Sequence, residues 1–419
     1  MRVFCGIDWA EGHHDVALVN EAGQLVAKKR INESVTGFAE LVAMFEAAGD
    51  TADDPIPVAI ETPRGLLVAA LRATGRPVFA INPMAVARYR ERISVSRTKS
   101  DHADAMALAN ILRTDAHLHR RIAADSELVQ SIAVLARAHQ DAIWRRTRAS
   151  NELRSLLREY HPAYLEAFAG KHATNLAHPE ARAVLAIAAD PAAAAKLSKP
   201  RLAAALKKAG RRRFIDPRAA ELQALLREPR LRQPALVEQA MGRQALALLA
   251  TLDVECRNVD DLARAAAEAF QQHPDHAIIT SFPGLNDNLG ARVLGEIGDD
   301  RARFADARAV KAYAGSAPVT RASGKALSVS FRRIKNDRLA AAGYVWAFAA
   351  MANHAPADAH YRRRREHGDR HSSALRNLFN RQLGQLWHCL QTSQHYDPQQ
   401  AFLTPAQPMP SAPITEVDA

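Results

Sequence analysis

The chain has 419 residues, of which 48% are hydrophobic and 6% aromatic, and its formal net charge at pH 7 is +11. This length predicts two or three domains with apolar cores. No window approaches the ~20 consecutive apolar residues of a membrane span, and the N-terminus runs directly into a strand pattern, so we expect a cytoplasmic protein without a signal peptide. Cys5, Cys256 and Cys389 lie far apart, which favours buried, reduced thiols over a zinc site or a disulfide framework.

The positive charge is concentrated in two regions. Residues 300–388 contain 17 Lys or Arg and 6 Asp or Glu, a net charge of +11, and residues 196–233 contain 12 and 3, a net charge of +9. Two such basic regions are typical of a protein that binds a polyanion. No amphipathic helix or anchor for a membrane surface stands out. We therefore expect a nucleic-acid partner, with a solvated basic surface as the alternative.

The first part of the chain, residues 1–125, has the pattern of an α/β domain. Apolar runs and turn residues predict a three-stranded meander, a helix, a strand, a helix, a strand and a last helix, in this order: 3–9, 14–20, 24–31, 35–48, 56–61, 65–74, 77–82 and 101–113. The last helix follows a basic loop and begins where Ser100 or Asp101 can cap it. Three meander strands followed by alternating helices and strands indicate a mixed sheet.

The rest of the chain is predicted to be mainly helical. Residues 126–275 form a helical connector, partly coiled coil, because a loose heptad of apolar residues runs along them. A third unit, 276–392, begins with a short apolar strand or turn at 277–281. It continues with helices near 288–297, 306–314, 337–352 and 371–391, and a segment with Gly and Ser, 315–330, lies between two of them. The tail, 393–419, is rich in Pro, Gln, Ser and Thr and is predicted to be disordered.

Four acidic residues of the first domain fall where a metal site can form. Asp8 ends the first strand, Glu61 ends the fourth, and Asp101 and Asp104 begin a helix, on which residues i and i+3 share a face. Mg²⁺ or Mn²⁺ prefers such oxygen ligands. Two ions about 3.5–4 Å apart can activate a nucleophile and stabilise a leaving oxygen at a phosphodiester. Each acid alone is better explained as a turn or cap residue, but their order on this pattern is that of an RNase H-like nuclease core.

Three strings carry a resemblance to a known family. GIDWAEGHHDVALV, AIETPRG and SRTKSDHADAMALA resemble the RuvC-like domain of the DEDD-type transposases of bacterial insertion sequences, a family that includes the Piv-type DNA invertases. The resemblance implies that Asp8, Glu61, Asp101 and Asp104 are the catalytic, metal-binding acids. It also implies an RNase H-like, RuvC-like fold for this domain.

The third unit contains a serine beside several cations. Ser323 stands in ASGK, and further cations follow it in the chain, namely Lys325, Arg332, Arg333 and Lys335. Cations can stabilise charge that develops on phosphoryl oxygens during attack by a hydroxyl, so these four residues are also candidates for nucleic-acid binding. On chemistry alone, a turn serine beside a phosphate-binding lysine is the better explanation of this pattern.

The same family resemblance extends to this unit. Its members have an IPGIG-type turn, an AEIGD string, an AYLGLxP string and an SGGK serine, and SFPGLN, GEIGD, AYAGSAP and ASGK follow in that order here. The first string looks like the entry of a helix-hairpin-helix element, whose helix N-terminus favours a phosphate. The resemblance implies that Ser323 is the nucleophile. The chain departs from the pattern at Asn286, a position that can enter the left-handed region, at Ser316, and at one missing glycine after Ser323.

The function implied by the resemblance is that of a DNA transposase or site-specific recombinase. Members of the family use a structured bridge RNA as a guide, bound Mg²⁺ and a covalent serine–DNA intermediate, and they assemble as homo-oligomers, as a dimer of dimers. DNA, a bridge RNA and further copies of the chain are thus the expected partners, and the basic stretch 196–233 would suit RNA.

Three other functions are compatible with parts of the sequence. A Holliday-junction resolvase would have the acids but no use for Ser323. A sugar- or acetate-kinase-like ATPase would also begin with a strand meander, but Glu11 stands where a small residue would accommodate phosphate, and no second phosphate motif follows. A DNA-binding protein that derives from a transposase and has lost catalysis would not need all four acids and the serine.

Overall fold

The computed structural model describes residues 2–93, 101–170, 175–323 and 326–402. Asp101 is described by its backbone alone. The chain divides into two compact units, Met1–Ala124 and Asp125–Ala419. Within the described residues, no helix is both long and apolar enough to cross a membrane.

The first unit is built on a five-stranded mixed sheet, as predicted. Its strands are β1 (Val3–Trp9), β2 (His13–Asn20), β3 (Leu25–Asn32), β4 (Val58–Ile60) and β5 (Val78–Ala80). They lie in the order β3-β2-β1-β4-β5. The first three strands are antiparallel to one another, whereas β4 is parallel to β1 and β5 is parallel to β4.

Helices cover both faces of this sheet. They are α1 (Val35–Ala47), α2 (Leu66–Ala73), α3 (Pro83–Ile93) and α4 (Asp101–Asp115). Because side chains alternate along a strand, β1 contributes Cys5 and Ile7 to the core with α1 and α2, and Phe4 to a second core with α4. The sequence did not predict α3, since Pro83 was interpreted only as the end of a strand, whereas proline is also favoured in the first turn of a helix.

The second unit begins with a series of helices, as predicted for this part of the chain. They are α5 (Glu127–Tyr160), α6 (Pro162–Ala167), α7 (Pro179–Ile187), α8 (Pro191–Ala195), α9 (Lys199–Lys208), α10 (Ile215–Arg227) and α11 (Ala235–Gln271). The two long helices, α5 and α11, pack against each other. Each contributes to two separate cores, one with α6 to α10 and the other with the elements that follow α11.

The remainder of this unit combines helices with one β-hairpin. The elements are α12 (His276–Thr280), α13 (Asp287–Ile297), α14 (Ala307–Tyr313), β6 (Val319–Ser323), β7 (Ala326–Ser330), α15 (Asp337–Asn353), α16 (Ala355–Glu366), α17 (His371–Thr392) and α18 (Pro398–Ala401). The predicted strand or turn at 277–281 is wrong for most of its length, because Ile278 and Ile279 are buried in the core as part of a helical turn. The antiparallel hairpin β6–β7 was not predicted.

The predicted disorder of the tail is wrong for its first ten residues. The ring of Tyr396 lies 4.8 Å from that of Phe282, and the carbonyl of Ala401 accepts a hydrogen bond from Nε of Arg381 at 3.0 Å. Aromatic anchors thus hold a polar segment against the helices. Residues 403–419 lie outside the described residues. All three cysteines are buried and form no disulfide, as expected, and burial raises the pKa of the Cys5 thiol.

Candidate functional site

Asp8 and Glu61 lie at the ends of neighbouring strands. Ile7 of β1 pairs with Ile60 of the parallel strand β4. Asp8 directly follows Ile7, and Glu61 directly follows Ile60. Parallel strands end at the same edge of a sheet, and both acids are half-buried there. The sheet therefore brings together two of the four predicted acids.

Asp8 belongs to the sheet face that α4 covers. Alternation places Asp8 on the face of Phe4, whereas Glu61 lies in the bend that directly follows β4. Phe4 and Ala59 pack in one core with Leu108 and other residues of α4. Asp8 and Glu61 therefore each lie shortly after a residue, Phe4 or Ala59, that packs against α4.

The close approach of α4 depends on Gly6. A Cβ atom at this position would lie 2.0 Å from the carbonyl oxygen of Ala105 and 2.4 Å from the amide nitrogen of Ala109. No side chain other than hydrogen fits there. Asp104 directly precedes Ala105, is 5% exposed, and pairs with Arg90 of α3. Gly6 thereby allows α4, the helix that carries Asp104, to pack against the sheet face of Asp8.

The fourth predicted acid, Asp101, is the first residue of α4, and its side chain lies outside the described residues. Among the side chains that are described, no three of His, Cys, Asp and Glu form a group that could hold a metal ion. The donor set nevertheless suits Mg²⁺ or Mn²⁺ in its chemistry, since it consists of carboxylates at least one of which is buried. The metal site stays a prediction.

A fifth acid, Asp15, lies beside Asp8 on the neighbouring strand and is not among the residues predicted from the sequence. Asp15 of β2 pairs with Asp8 in the β1–β2 register and is only 2% exposed. Its carboxylate accepts a hydrogen bond from Nη2 of Arg30 at 2.7 Å and lies 3.0 Å from Nδ1 of His102. His102 stands between Asp101 and Asp104, so this contact ties the first turn of α4 to the sheet. An acid at a core-facing position of the apolar run HDVALV is the signal that could have revealed it.

Ser323 is the last residue of β6 and is exposed at the end of the hairpin. It pairs with Ala326, the first residue of β7. The two residues between them, Gly324 and the predicted nucleic-acid-binding Lys325, lie outside the described residues. The hairpin thus presents the predicted nucleophile at its tip.

The other predicted cations follow β7. Arg332 and Lys335 line a cavity of about 180 Å³, while the guanidinium of Arg333 lies 5.8 Å from the ring centre of Phe331. The stem of Lys335 is held against Gly315, where a Cβ would lie 2.1 Å from its Cδ and where φ is +71°. These cations are therefore gathered at the base of the hairpin, at the opposite end from Ser323.

Two strings that carried the resemblance have structural roles. Glu296 of GEIGD is buried and binds the Arg137 guanidinium through two hydrogen bonds of 2.7 and 3.0 Å, which raise the pKa of Arg137. It also accepts a hydrogen bond from Asn336 at 2.7 Å, which fixes the segment after the hairpin to α13. Asn286 of SFPGLN is extended, with φ −109°, and caps α13 by accepting from the amide of Leu289. The expectation of a left-handed Asn286 is therefore wrong.

Comparison with known proteins gives one consistent result. Residues 5–162 match the model of the DEDD transposases of IS110 type, described as "Transposase", and residues 276–362 match the "Transposase IS116/IS110/IS902 family". The "Mini-circle putative transposase for IS117" of Streptomyces coelicolor is 58% identical over 402 residues, which cover 96% of this chain and 97% of the relative. The "Insertion element IS110 uncharacterized 43.6 kDa protein" of the same species is 28% identical over 409 residues, which cover 94% of this chain and 95% of the relative.

These matches define the class of protein as a transposase, and the carboxylate-bearing mixed sheet of one unit and the mainly helical second unit agree with it. The chain belongs to the IS116/IS110/IS902 family of insertion-sequence transposases.

Proposed function

We propose that this transposase cuts and rejoins DNA with a RuvC-like carboxylate site, formed by Asp8, Glu61, Asp101 and Asp104, and with Ser323 as the nucleophile. The observation that carries the proposal is that Asp8 and Glu61 lie at the same ends of two adjacent parallel strands, while α4 packs on the sheet face of Asp8. The strand order β3-β2-β1-β4-β5, with a meander followed by two parallel strands, supports an RNase H-like fold for this unit.

The four acids would hold Mg²⁺ or Mn²⁺, which when bound supplies Lewis-acid stabilisation of phosphoryl oxygens. Arg90 orients Asp104 by pairing with it, and Asp15 fixes the first turn of α4 through His102. In the other unit, the Ser323 oxygen would bond to the phosphorus of the scissile phosphodiester and displace a deoxyribose oxygen, which leaves as a hydroxyl after the serine proton has passed to it. Rejoining is the reverse attack by a deoxyribose hydroxyl of the second DNA, which frees the serine.

The proposed partners are donor and target DNA, a bridge RNA and further copies of the chain. The basic segment 300–388, with its net charge of +11, supports binding to nucleic acid. Binding that depends on phosphate contacts must weaken steeply with salt, because released counterions drive it.

The test is a plasmid recombination assay with the transposase gene and the DNA that flanks it. Asp8→Asn and Ser323→Ala should each abolish strand exchange, whereas the matched controls Asp53→Asn and Ser328→Ala, at exposed positions, should retain it. Thermal melting of each purified variant establishes that it is folded.

The outcomes separate the proposed function from its alternatives. Full recombination by Asp8→Asn contradicts the metal site. Cleavage of branched DNA that persists in Ser323→Ala but is lost in Asp8→Asn favours a junction resolvase without a serine nucleophile.

A further inference from the structure

The cavity at the base of the β6–β7 hairpin has the chemistry of a nucleotide site. It is lined by Phe331, Arg332 and Lys335 after β7, by Tyr344 of α15 and by Arg376 of α17. Its described lining thus includes three cations and no carboxylate. Such a concentration of positive charge favours an anionic ligand.

Two aromatic side chains at this cavity are exposed, whereas a third, Phe379, is buried. Phe331 is 54% exposed and Tyr344 is 46% exposed, although aromatic rings of this size stabilise a fold mainly when they are buried. Exposed rings beside cations are the arrangement on which unpaired bases stack in proteins that bind single-stranded nucleic acid.

One of the cations also has an unused donor. Nε of Arg332 is buried and has no hydrogen-bond partner among the described residues. A buried donor without a partner costs free energy, and a phosphate oxygen would satisfy it. The stem of Lys335 packs against Gly315, and its ammonium pairs with the exposed carboxylate of Asp337 at 2.9 Å, a partner that a phosphate can replace.

The cavity lies away from the reacting serine. The five residues of β7 separate Phe331 from the end of the hairpin at which Ser323 stands, a distance of roughly 15 Å at about 3.3 Å per residue. A ligand in the cavity would therefore be a neighbour of the scissile phosphate along the strand and not the scissile group itself.

We propose that this cavity binds one unpaired nucleotide, whose base stacks on Phe331 and Tyr344 and whose phosphate binds Arg332, Lys335 and Arg376. The site would anchor a nucleic-acid strand while the hairpin tip reaches the phosphodiester. This inference rests on the proposed function, since it assigns a place to one nucleotide of a nucleic-acid partner.

The experiment measures binding of short, fluorescently labelled oligothymidylate to the full-length protein by anisotropy, at fixed salt. Tyr344→Ala should weaken binding about tenfold or more, since one stacked base contributes that much. Arg376→Ala should weaken binding about tenfold as well, because it removes a charged hydrogen bond to the phosphate. Two matched controls should bind like the wild type: Phe348→Ala, an exposed aromatic one turn further along α15, and Arg362→Ala, an exposed arginine of α16.

Stacking itself has a spectroscopic readout. A single 2-aminopurine in the oligonucleotide should lose fluorescence on binding to the wild type and regain it in Tyr344→Ala. Duplex DNA of the same length should be affected much less by Tyr344→Ala, because its bases are already stacked. Parallel titrations with oligouridylate show whether the nucleotide comes from RNA or DNA. The oligonucleotide whose affinity falls more in Tyr344→Ala identifies the source.

The proposal is overturned if Tyr344→Ala and Phe348→Ala bind oligothymidylate and oligouridylate equally well, or if 2-aminopurine fluorescence does not change on binding. A wild type that binds no nucleic acid at all contradicts the proposed function as well. Wild-type binding with no difference between the cavity variants and their controls contradicts the cavity alone.

Discussion

Replacement of Gly6 by alanine tests whether the approach of α4 to the sheet creates the carboxylate site. The new Cβ would lie 2.0 Å from the Ala105 carbonyl oxygen, whereas ordinary contact begins at 3.4 Å, so α4 must retreat by about 1.4 Å. Overpacking of this kind costs about 1–3 kcal/mol. A displacement of about 1 Å in a catalytic group can cost about 100-fold in rate.

We therefore expect Gly6→Ala to melt several degrees lower than the wild type and to recombine plasmid DNA about 100-fold more slowly. Gly12→Ala is the matched control in the same unit, because a Cβ at Gly12 meets nothing within 4 Å. Circular dichroism and thermal melting report the fold, and the recombination assay reports the rate. A Gly6→Ala protein with the melting temperature and rate of Gly12→Ala would refute the reasoning.

Three further predictions follow from other parts of the chain. Asp15→Asn removes the charge that pairs with Arg30 and should lower the free energy of unfolding of its unit by about 1–3 kcal/mol in urea titrations, with Asp53→Asn unchanged. Burial lowers the pKa of His161 to about 4 from 6.5, so the unfolded chain takes up a proton that the folded chain does not as pH falls from 6.5 to 4. That should remove up to about 3 kcal/mol of stability, and His161→Gln should show a flatter loss over this range. Charge reversal of Arg332 and Arg333 together should reduce the salt dependence of DNA binding, and an unchanged slope would contradict their contact with phosphate.

Much of the first unit could be predicted from the sequence. Its strands consist either of alternating apolar and polar residues or of continuous apolar residues, and clear turn residues bound them. The three meander strands, Val3–Trp9, His13–Asn20 and Leu25–Asn32, lie within one residue of their predicted bounds. Helix α3 could not be found in this way, because arginines interrupt its apolar pattern and Pro83 can either end a strand or begin a helix.

The hairpin β6–β7 escaped prediction for a different reason. Half of its residues, VTRAS and ALSVS, are polar, and residues 320–323 and 328–330 are exposed, so they give no continuous apolar run. Strand pairing there is decided by backbone hydrogen bonds and by the turn, which periodicity does not report. The conformation that carries Ser323 therefore came from the structure, whereas its identity as a candidate came from the family resemblance.

The sequence names the candidate acids, whose role as a metal site stays a prediction, but it does not reveal the contacts that support them. Strand ends and a helix start pointed to Asp8, Glu61 and Asp104 from chain order alone. Gly6 and Asp15 matter only because α4 packs across β1 and β2, a tertiary contact that local sequence patterns do not contain. For the same reason, the buried pair of Asp104 with Arg90 could not be anticipated.

The most direct test of the proposed mechanism is to map the covalent link between protein and DNA. Wild-type protein that is recombining DNA is stopped with denaturant, digested and examined by mass spectrometry. We expect DNA attached to the peptide that contains Ser323, no adduct in Ser323→Ala, and an adduct of normal yield in Ser328→Ala. Recombination that proceeds with no adduct at any time point, or with an adduct on another residue, would contradict Ser323 as the nucleophile.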